Sequence, residues 1–285
     1  MPEYCVTGGT GFIAAYLVKS LLQNGHTVRT TVRDPGDCAK VGFLSEFPGA
    51  EKRLKIMKAD LMVVGSFDEA IEGVDGVFHT ASPVLVPYDN NIQETLIKPC
   101  IDGTKNVLSS CSKASSVKRV VLWYAYAKTV AEKEAWRIAD ESGINLVVVN
   151  PSFVVGPLLA PQPTSTLLLI LSMLKGVGTE YPNTTVGFVH IDDVVAAHIL
   201  AMEDIRASGR LICSSSVAHW SQIIQMLKPI YPSYPYQNRC SSQEGDNKPH
   251  SMDTTKITQL GFPPFKTLQQ MFNDCINSFQ LKGFL

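Results

Sequence analysis

Apolar positions in the first half of the chain alternate between two periods. Short β-prone runs occur at residues 3–7, 27–32, 54–57, 76–80, 119–122 and 145–150. Between them the spacing becomes helical. Residues 12–24 place Ile13, Leu17, Leu21 and Leu22 on one face, and Gly25 marks the stop. Further helices are expected at 66–72, 94–113 and 128–142. Short apolar strands separated by amphipathic helices predict βαβ units. The expected fold class is therefore α/β, a Rossmann-like doubly wound parallel sheet. Such sheets bind ligands at the carboxyl ends of their strands. The last third changes character. Proline and aromatic residues crowd 229–236, and a closing helix is expected from the capping-box pattern Thr267-Leu268-Gln269-Gln270. Its apolar stripe is Met271, Cys275, Ile276 and Phe279. This part reads as a smaller C-terminal substrate-binding lid.

Composition narrows the function classes. Of 285 residues, 45% are hydrophobic and 18% charged, which is globular usage. A net charge of -1 offers no electrostatic footprint for nucleic acid or an anionic membrane, so neither is an expected partner. The longest apolar stretch, 166–174, falls short of the ~20 residues of a membrane span. No secretory leader is expected ahead of the strand-like run at 3–7. Seven scattered cysteines without a CxxC pair suggest reduced thiols and a cytoplasmic protein with no metal site.

The first βαβ unit carries the candidate chemistry. Thr7-Gly8-Gly9-Thr10-Gly11-Phe12-Ile13-Ala14 follows a strand and opens a helix. Gly8 permits a tight turn, Gly11 lets a pyrophosphate approach, and Ala14 allows close packing. The loop and first turn, Thr10, Phe12 and Ile13 among them, offer N–H groups and a favourable dipole to phosphates. A carboxylate after the second strand would select NAD, whereas a cation would select NADP. Arg33 stands there, with Lys40 following. A guanidinium suits a phosphate best, although Asp34 could play the NAD role and Arg33 could be a solvated surface residue. NADP(H) is the expected cofactor. A second pattern lies after the fifth strand: Tyr124 and Lys128 at i and i+4 share a helix face. The Lys favours phenolate, so the phenol can protonate a carbonyl receiving hydride. Tyr126 lacks a Lys four residues on, and Trp123 and Trp136 read as packing residues.

Seven segments together resemble the plant dihydroflavonol reductase and cinnamoyl-CoA reductase-like family of extended short-chain dehydrogenases. They are TGGTGFI at 7–13, TVRDP at 31–35, ADL at 59–61, VFHTASPV at 77–84, WYAYAKTVAEKEAW at 123–136, NPSFVVGPLL at 150–159 and FVHIDDVVAAHILAME at 188–203. Segments 82–96, 214–221 and 244–254 resemble a branch that reduces polyketide pyrones on the route to sporopollenin. The resemblance implies further roles. Asp60 and Leu61 flank the adenine. Thr80, Ala81 and Ser82 line the ribose and pyrophosphate. Pro151, Ser152, Phe153 and Val154 wall the nicotinamide, and Thr166 lies near the cofactor phosphate. Simpler readings stand beside these: Asp60 as a turn residue, Pro151 as a strand end, Asp192 and Asp193 as a helix N-cap. The implied division is 1–155 with 186–215 as the NADP-binding domain and 156–185 with 216–285 as the substrate-binding domain. Leu122, Ala125 and Ala127 depart from the cinnamoyl-CoA signature and disfavour a thioester substrate.

One family feature is missing. The pattern places Thr-Ser-Ser at the end of the fifth strand, then a long loop, then the Tyr helix. Here Leu122 runs directly into Trp123-Tyr124. Ser115 and Ser116 precede the strand, ~20 Å from its far end at ~3.3 Å per residue. Either the strand end leaves the sheet or the first helical turn unwinds. Two outcomes are open for function: a reductase of a small-molecule ketone with impaired activity, or a non-catalytic NADPH-binding homologue that associates with an intact relative or with pathway enzymes. A third is a chain that does not fold stably.

Overall fold

The structure, a computed structural model, describes residues 1–83, 93–123, 129–163, 166–243, 245, 248 and 250–285. Tyr124 and Lys128 lie outside the described residues. The chain divides into two compact units, one of residues 1–150, 159–161 and 195–211, the other of 151–158, 162–194 and 212–285.

The elements up to the sixth strand are β1 (Glu3–Thr7), α1 (Phe12–Gln23), β2 (Thr27–Val32), α2 (Cys38–Ser45), α3 (Ala50–Arg53), β3 (Leu54–Lys58), α4 (Asp68–Ile71), β4 (Gly76–His79), α5 (Lys98–Lys113), β5 (Arg119–Trp123), α6 (Thr129–Ser142) and β6 (Leu146–Pro151). After them come β7 (Phe153–Val155), α7 (Thr166–Leu174), β8 (Glu180–Tyr181), β9 (Thr185–His190), α8 (Ile191–Glu203), β10 (Gly209–Cys213), β11 (Ser216–His219), α9 (Trp220–Leu227), β12 (Arg239–Cys240), α10 (Thr255–Gln259) and α11 (Leu268–Leu281).

A seven-stranded sheet runs in the order β10-β6-β5-β4-β1-β2-β3. Every pairing from β3 across to β6 is parallel. Its central strands β1, β4 and β5 are buried except at one end residue of β1 and of β5, which is why Tyr4-Cys5-Val6, Val77-Phe78 and Val120-Val121-Leu122 read as continuous apolar stretches. α1 buries Leu17, Val18, Leu21 and Leu22 completely. It ends at Gly25 (φ +86°), where the N–H groups of Gly25 and His26 donate to Leu22 and Leu21 carbonyls at 3.0 Å. The expected 94–113 helix begins instead as a π-helical turn, Gln93–Ile97, before α5. Pro99 cannot donate a helical hydrogen bond, so the preceding turn widens.

α5 and α6 share one core with the sheet, in which Val107, Leu108 and Cys111 meet Val77, Val120, Leu122, Ala131 and Ala135. β5 stays paired to its end. Leu122 aligns with His79 on one side, and Trp123 with Val149 on the other. The strand end therefore does not leave the sheet. α6 has its own anchor in the buried carboxylate of Glu132. It accepts from Arg210 Nε on β10 at 2.7 Å, from Trp136 Nε1 at 3.1 Å and from Asn150 Nδ2 on β6 at 3.5 Å.

In the second unit β9 is the middle of a three-stranded sheet, parallel to β7 and antiparallel to β11. Phe153, Phe188, Trp220 and Phe272 pack edge to face with centroids 5.2–5.7 Å apart. β8 and β12 form a separate two-stranded ribbon. α11 starts in the expected capping box of Thr267 and Gln270, and its stripe Met271, Cys275, Ile276 and Phe279 is fully buried. Asp192 and Asp193 do not cap α8. His190 Nδ1 accepts the Asp192 N–H at 3.0 Å, while the two carboxylates take the side chain and backbone N–H of Lys266. Burial raises the Asp193 carboxyl above its usual range. Among the described residues no helix is long and apolar enough to cross a membrane.

Glu132→Ala should lower stability by about 1–3 kcal/mol in chemical denaturation. It strands the Trp136 and Asn150 donors and leaves Arg210, half exposed, to water. An unchanged denaturation midpoint would show that α6 is held by apolar packing alone.

Candidate cofactor and active site

The sheet order reverses between β1 and β4, so the carboxyl ends of these neighbours flank the crevice where doubly wound folds bind ligands. The turn after β1 is shaped by contacts on both sides. Gly8 has φ +76°, and a Cβ there would sit 2.9 Å from the Ala81 Cα. A Cβ on Gly9 would overlap the Thr30 hydroxyl, itself tied to the Val6 carbonyl at 2.9 Å. Gly9 N–H donates to the Thr31 carbonyl at 2.9 Å, and Gly11 N–H to the Gly8 carbonyl at 2.8 Å. Gly11 then starts α1 in extended conformation with no side-chain cap, and the first turn carries no acidic residue. The N–H groups of Phe12 and Ile13 thus have no acceptor among the described residues and sit at the positive end of the helix dipole. Such a cradle fits a pyrophosphate.

Thr7 locks this turn to β4. Its Oγ1 accepts the N–H groups of Thr80 at 3.1 Å and Ala81 at 3.0 Å, and lies 2.8 Å from His79 Nδ1. A hydroxyl has one proton, so the third contact must be a donation to Nδ1. The buried His79 ring is then neutral, with its proton on Nε2. The Thr80 hydroxyl returns a bond to the Thr7 carbonyl at 2.7 Å. Sequence reasoning missed Thr7, Gly9 and His79. The spacing around each is ordinary, and their partners lie up to 74 residues away.

Gly8, Thr10, Gly11, Phe12, Ile13, Arg33, Asp60, Leu61, Thr80, Ala81 and Ser82 all follow the carboxyl ends of the parallel strands β1 to β4, and so share one edge of the sheet. Arg33 is exposed and has no hydrogen-bond or ion-pair partner among the described residues. Asp34 is turned on its own loop, accepting the Gly36 N–H at 2.9 Å. Lys40 pairs at 2.7 Å with Asp37, which caps α2, and this hydrogen bond holds the Asp37 carboxyl below its usual range. Asp60 accepts the Met62 N–H at 2.8 Å in a turn, and the Leu61 carbonyl accepts Asn106 Nδ2 at 2.7 Å. Pro151, Ser152, Phe153, Val154 and Thr166 belong to the second unit, where the Thr166 hydroxyl donates to the Val154 carbonyl at 2.8 Å. Ser115 and Ser116 sit at the amino end of β5, beside a cavity of about 440 Å³ lined also by Asp68, Ser110 and Lys113.

Sheet order and phosphate turn together define a nucleotide-binding unit of the short-chain dehydrogenase kind. Residues 5–143 match the 3-beta hydroxysteroid dehydrogenase/isomerase family, and residues 122–212 the NAD dependent epimerase/dehydratase family. Tetraketide alpha-pyrone reductase 2 of Arabidopsis thaliana is 63% identical, with both chains covered completely. Cinnamoyl-CoA reductase 2 of Medicago truncatula is 39% identical over 99% of this chain and 92% of its own. The crystal structure of vestitone reductase from alfalfa superposes with a TM-score of 0.86 at 30% identity, covering both chains completely. The chain belongs to the dihydroflavonol reductase and cinnamoyl-CoA reductase-like family of NAD(P)-dependent oxidoreductases. The alignment to the Arabidopsis reductase spans 321 positions, and the 285 residues of this chain leave 36 of them unfilled.

Thr7→Val keeps the shape and removes the hub. Two backbone donors lose their acceptor, at about 1–3 kcal/mol. NADPH affinity, followed by fluorescence titration, should fall about tenfold. Unaltered affinity would mean that the turn holds its shape without β4.

Proposed function

We propose that the chain binds NADPH along the carboxyl ends of β1 to β4 and keeps the frame of a reductase for a ketone on a polyketide pyrone or phenylpropanoid-like substrate, with turnover held low by loss of the catalytic-serine segment. The observation that carries the cofactor reading is the unpaired Arg33 guanidinium after β2, beside an Asp34 already engaged by its own turn. The nicotinamide cofactor, when bound, supplies the hydride. The chain's own groups do the rest. N–H groups of Phe12 and Ile13 hold the pyrophosphate, which Gly8 and Gly11 let approach the backbone, with Thr10 beside them. Arg33 pairs with the 2′-phosphate, joined by Lys40 on leaving Asp37. Asp60 and Leu61 flank the adenine, and Thr80, Ala81 and Ser82 line the ribose side. Pro151, Ser152, Phe153 and Val154 wall the nicotinamide, with Thr166 near the phosphate. The Tyr124 hydroxyl gives its proton to the substrate oxygen, and Lys128 keeps that phenol acidic. Residues 1–155 and 186–215 serve the cofactor; 156–185 and 216–285 serve the substrate, in a step of the sporopollenin type. Seven unpaired cysteines support a cytoplasmic setting.

The 36 unfilled alignment positions support a missing segment, which the sequence places between Leu122 and Trp123. A lost carbonyl donor costs ~10²–10³ in rate. A misplacement of Tyr124 by ~1 Å costs another ~10². A second reading is a non-catalytic NADPH-binding homologue, a truncated or splice form that associates with an intact relative or with pathway enzymes. It is favoured by the pairing of β5 through Trp123 and the Glu132 anchor of α6, which keep the binding frame without the segment.

Arg33→Ala should weaken NADPH binding tenfold or more, since charged hydrogen bonds contribute about 1.5–3 kcal/mol, and leave NADH little changed. Equal losses for both cofactors would remove the basis of the NADPH assignment. Grafting a serine-bearing strand end and loop between Leu122 and Trp123 should raise turnover of pyrone substrates by ~10² or more. Tyr124→Phe in the grafted protein should abolish that turnover while sparing cofactor affinity. Equal turnover with and without the graft would show that another group contacts the carbonyl. Loss on Tyr126→Phe instead would reassign the proton donor.

A further inference from the structure

The carboxyl ends of β2 and β3 carry a second unengaged cation besides Arg33. The two strands pair in parallel with Val32 aligned to Lys58, and the Ala59 N–H donates to the Val32 carbonyl at 3.0 Å. The Lys58 backbone thus lies one strand spacing, about 4.8 Å, from the residue that precedes Arg33. Side chains alternate along a strand, so the face that Lys58 takes follows from its neighbours. Lys55 pairs with Glu69 of α4 at 3.6 Å, and Met57 shares a core with Phe67, Ala70 and Ile71. Lys58 therefore points to the opposite face, the one taken by its aligned partner Val32 and by Thr30. A Cβ on Gly9 would strike the Thr30 side chain, so this is the face on which the phosphate turn lies.

The carboxylates of this edge are engaged elsewhere. Asp34 accepts the Gly36 N–H, Asp37 takes the Lys40 ammonium, and Asp60 accepts the Met62 N–H. Lys58 is exposed, and its ammonium has no hydrogen-bond or ion-pair partner among the described residues. Two unpaired cations on adjoining strand ends repel, and an anion between them relieves that repulsion. A phosphate monoester carries about -1.5 to -2 charge near neutral pH. The Arg33 guanidinium meets one unit of it. Lys40 already gives its charge to Asp37, whereas Lys58 has a whole charge to offer and a flexible stem to carry it.

We infer that Lys58 is a further cation of the cofactor site, closing on the 2′-phosphate together with Arg33 and so helping to set the choice of NADPH over NADH. The inference rests on the NADPH reading above and adds to it a residue from the third strand.

The test uses the full chain and measures the affinities of NADPH and NADH by fluorescence titration, and of adenosine 2′,5′-bisphosphate and 5′-AMP by calorimetry. Lys58→Met keeps the stem and removes the charge. It should weaken NADPH and adenosine 2′,5′-bisphosphate about three- to tenfold, the worth of a charged contact that water partly screens. NADH and 5′-AMP should bind as they do to the parent. Lys58→Arg should keep the parent's preference, and both variants should melt with the parent, because the ammonium holds nothing within the chain. An equal loss for NADPH and NADH would make Lys58 a source of general attraction. Undiminished NADPH binding would make it a guard of the exposed sheet edge. Either result overturns the inference. Arg33→Ala separates the inference from the reading beneath it: a loss of NADPH affinity there, with none on Lys58→Met, removes Lys58 alone. A parent chain with no preference for NADPH overturns both.

Discussion

The Thr7 hydroxyl joins the two halves of the nucleotide-binding sheet at the point where strand order reverses. With two backbone N–H groups of the β4 loop directed at its oxygen, its proton is committed to His79. That commitment ties the end of β1 to the end of β4. Gly8 comes immediately after, at a point where any side chain would collide with Ala81. The start of α1, and with it the direction of its uncapped N–H groups, is set by this arrangement. The phosphate turn is therefore built by a long-range contact as much as by its own glycines. A glycine-rich turn lacking the hub would have the freedom to adopt the shape but nothing to hold it there.

The same division between local freedom and remote anchoring explains how the fold stands without the family's serine segment. β5 is an interior strand, fixed by β4 and β6 independently of the chain beyond Trp123. α6 is fixed by its alanine-rich face against the core and by Glu132, whose carboxylate gathers donors from α6, β6 and β10. Strand and helix are separately placed, and the chain between them does not have to organise either. On the function proposed above, loss of the segment removes a donor for the substrate carbonyl. The sheet is kept.

The sheet was legible because its signal is local. The run at residues 27–32 matches β2, and the pattern at 119–122 stops one residue short of β5. α2 was not foreseen, since only Val41 and Leu44 of its eight residues are buried and no apolar stripe announces it. The widened turn before α5 overlaps the stretch 94–113 whose spacing reads as continuous helix. Within the site, glycines and cations could be named from spacing alone. The state of each cation could not. Arg33 and Lys40 look alike in sequence, yet Lys40 is held by the carboxylate that caps its helix and Arg33 is not.

The pairing of β5 through Trp123 has an implication for how such chains diversify. Between that residue and the start of α6 the backbone joins two elements that hold their positions for reasons of their own. A junction of this kind tolerates length change in the way a spliced cable tolerates slack. Residues can be gained or lost between the two elements without erasing the domain. Ligand capture and bond-making chemistry can thereby change independently of one another.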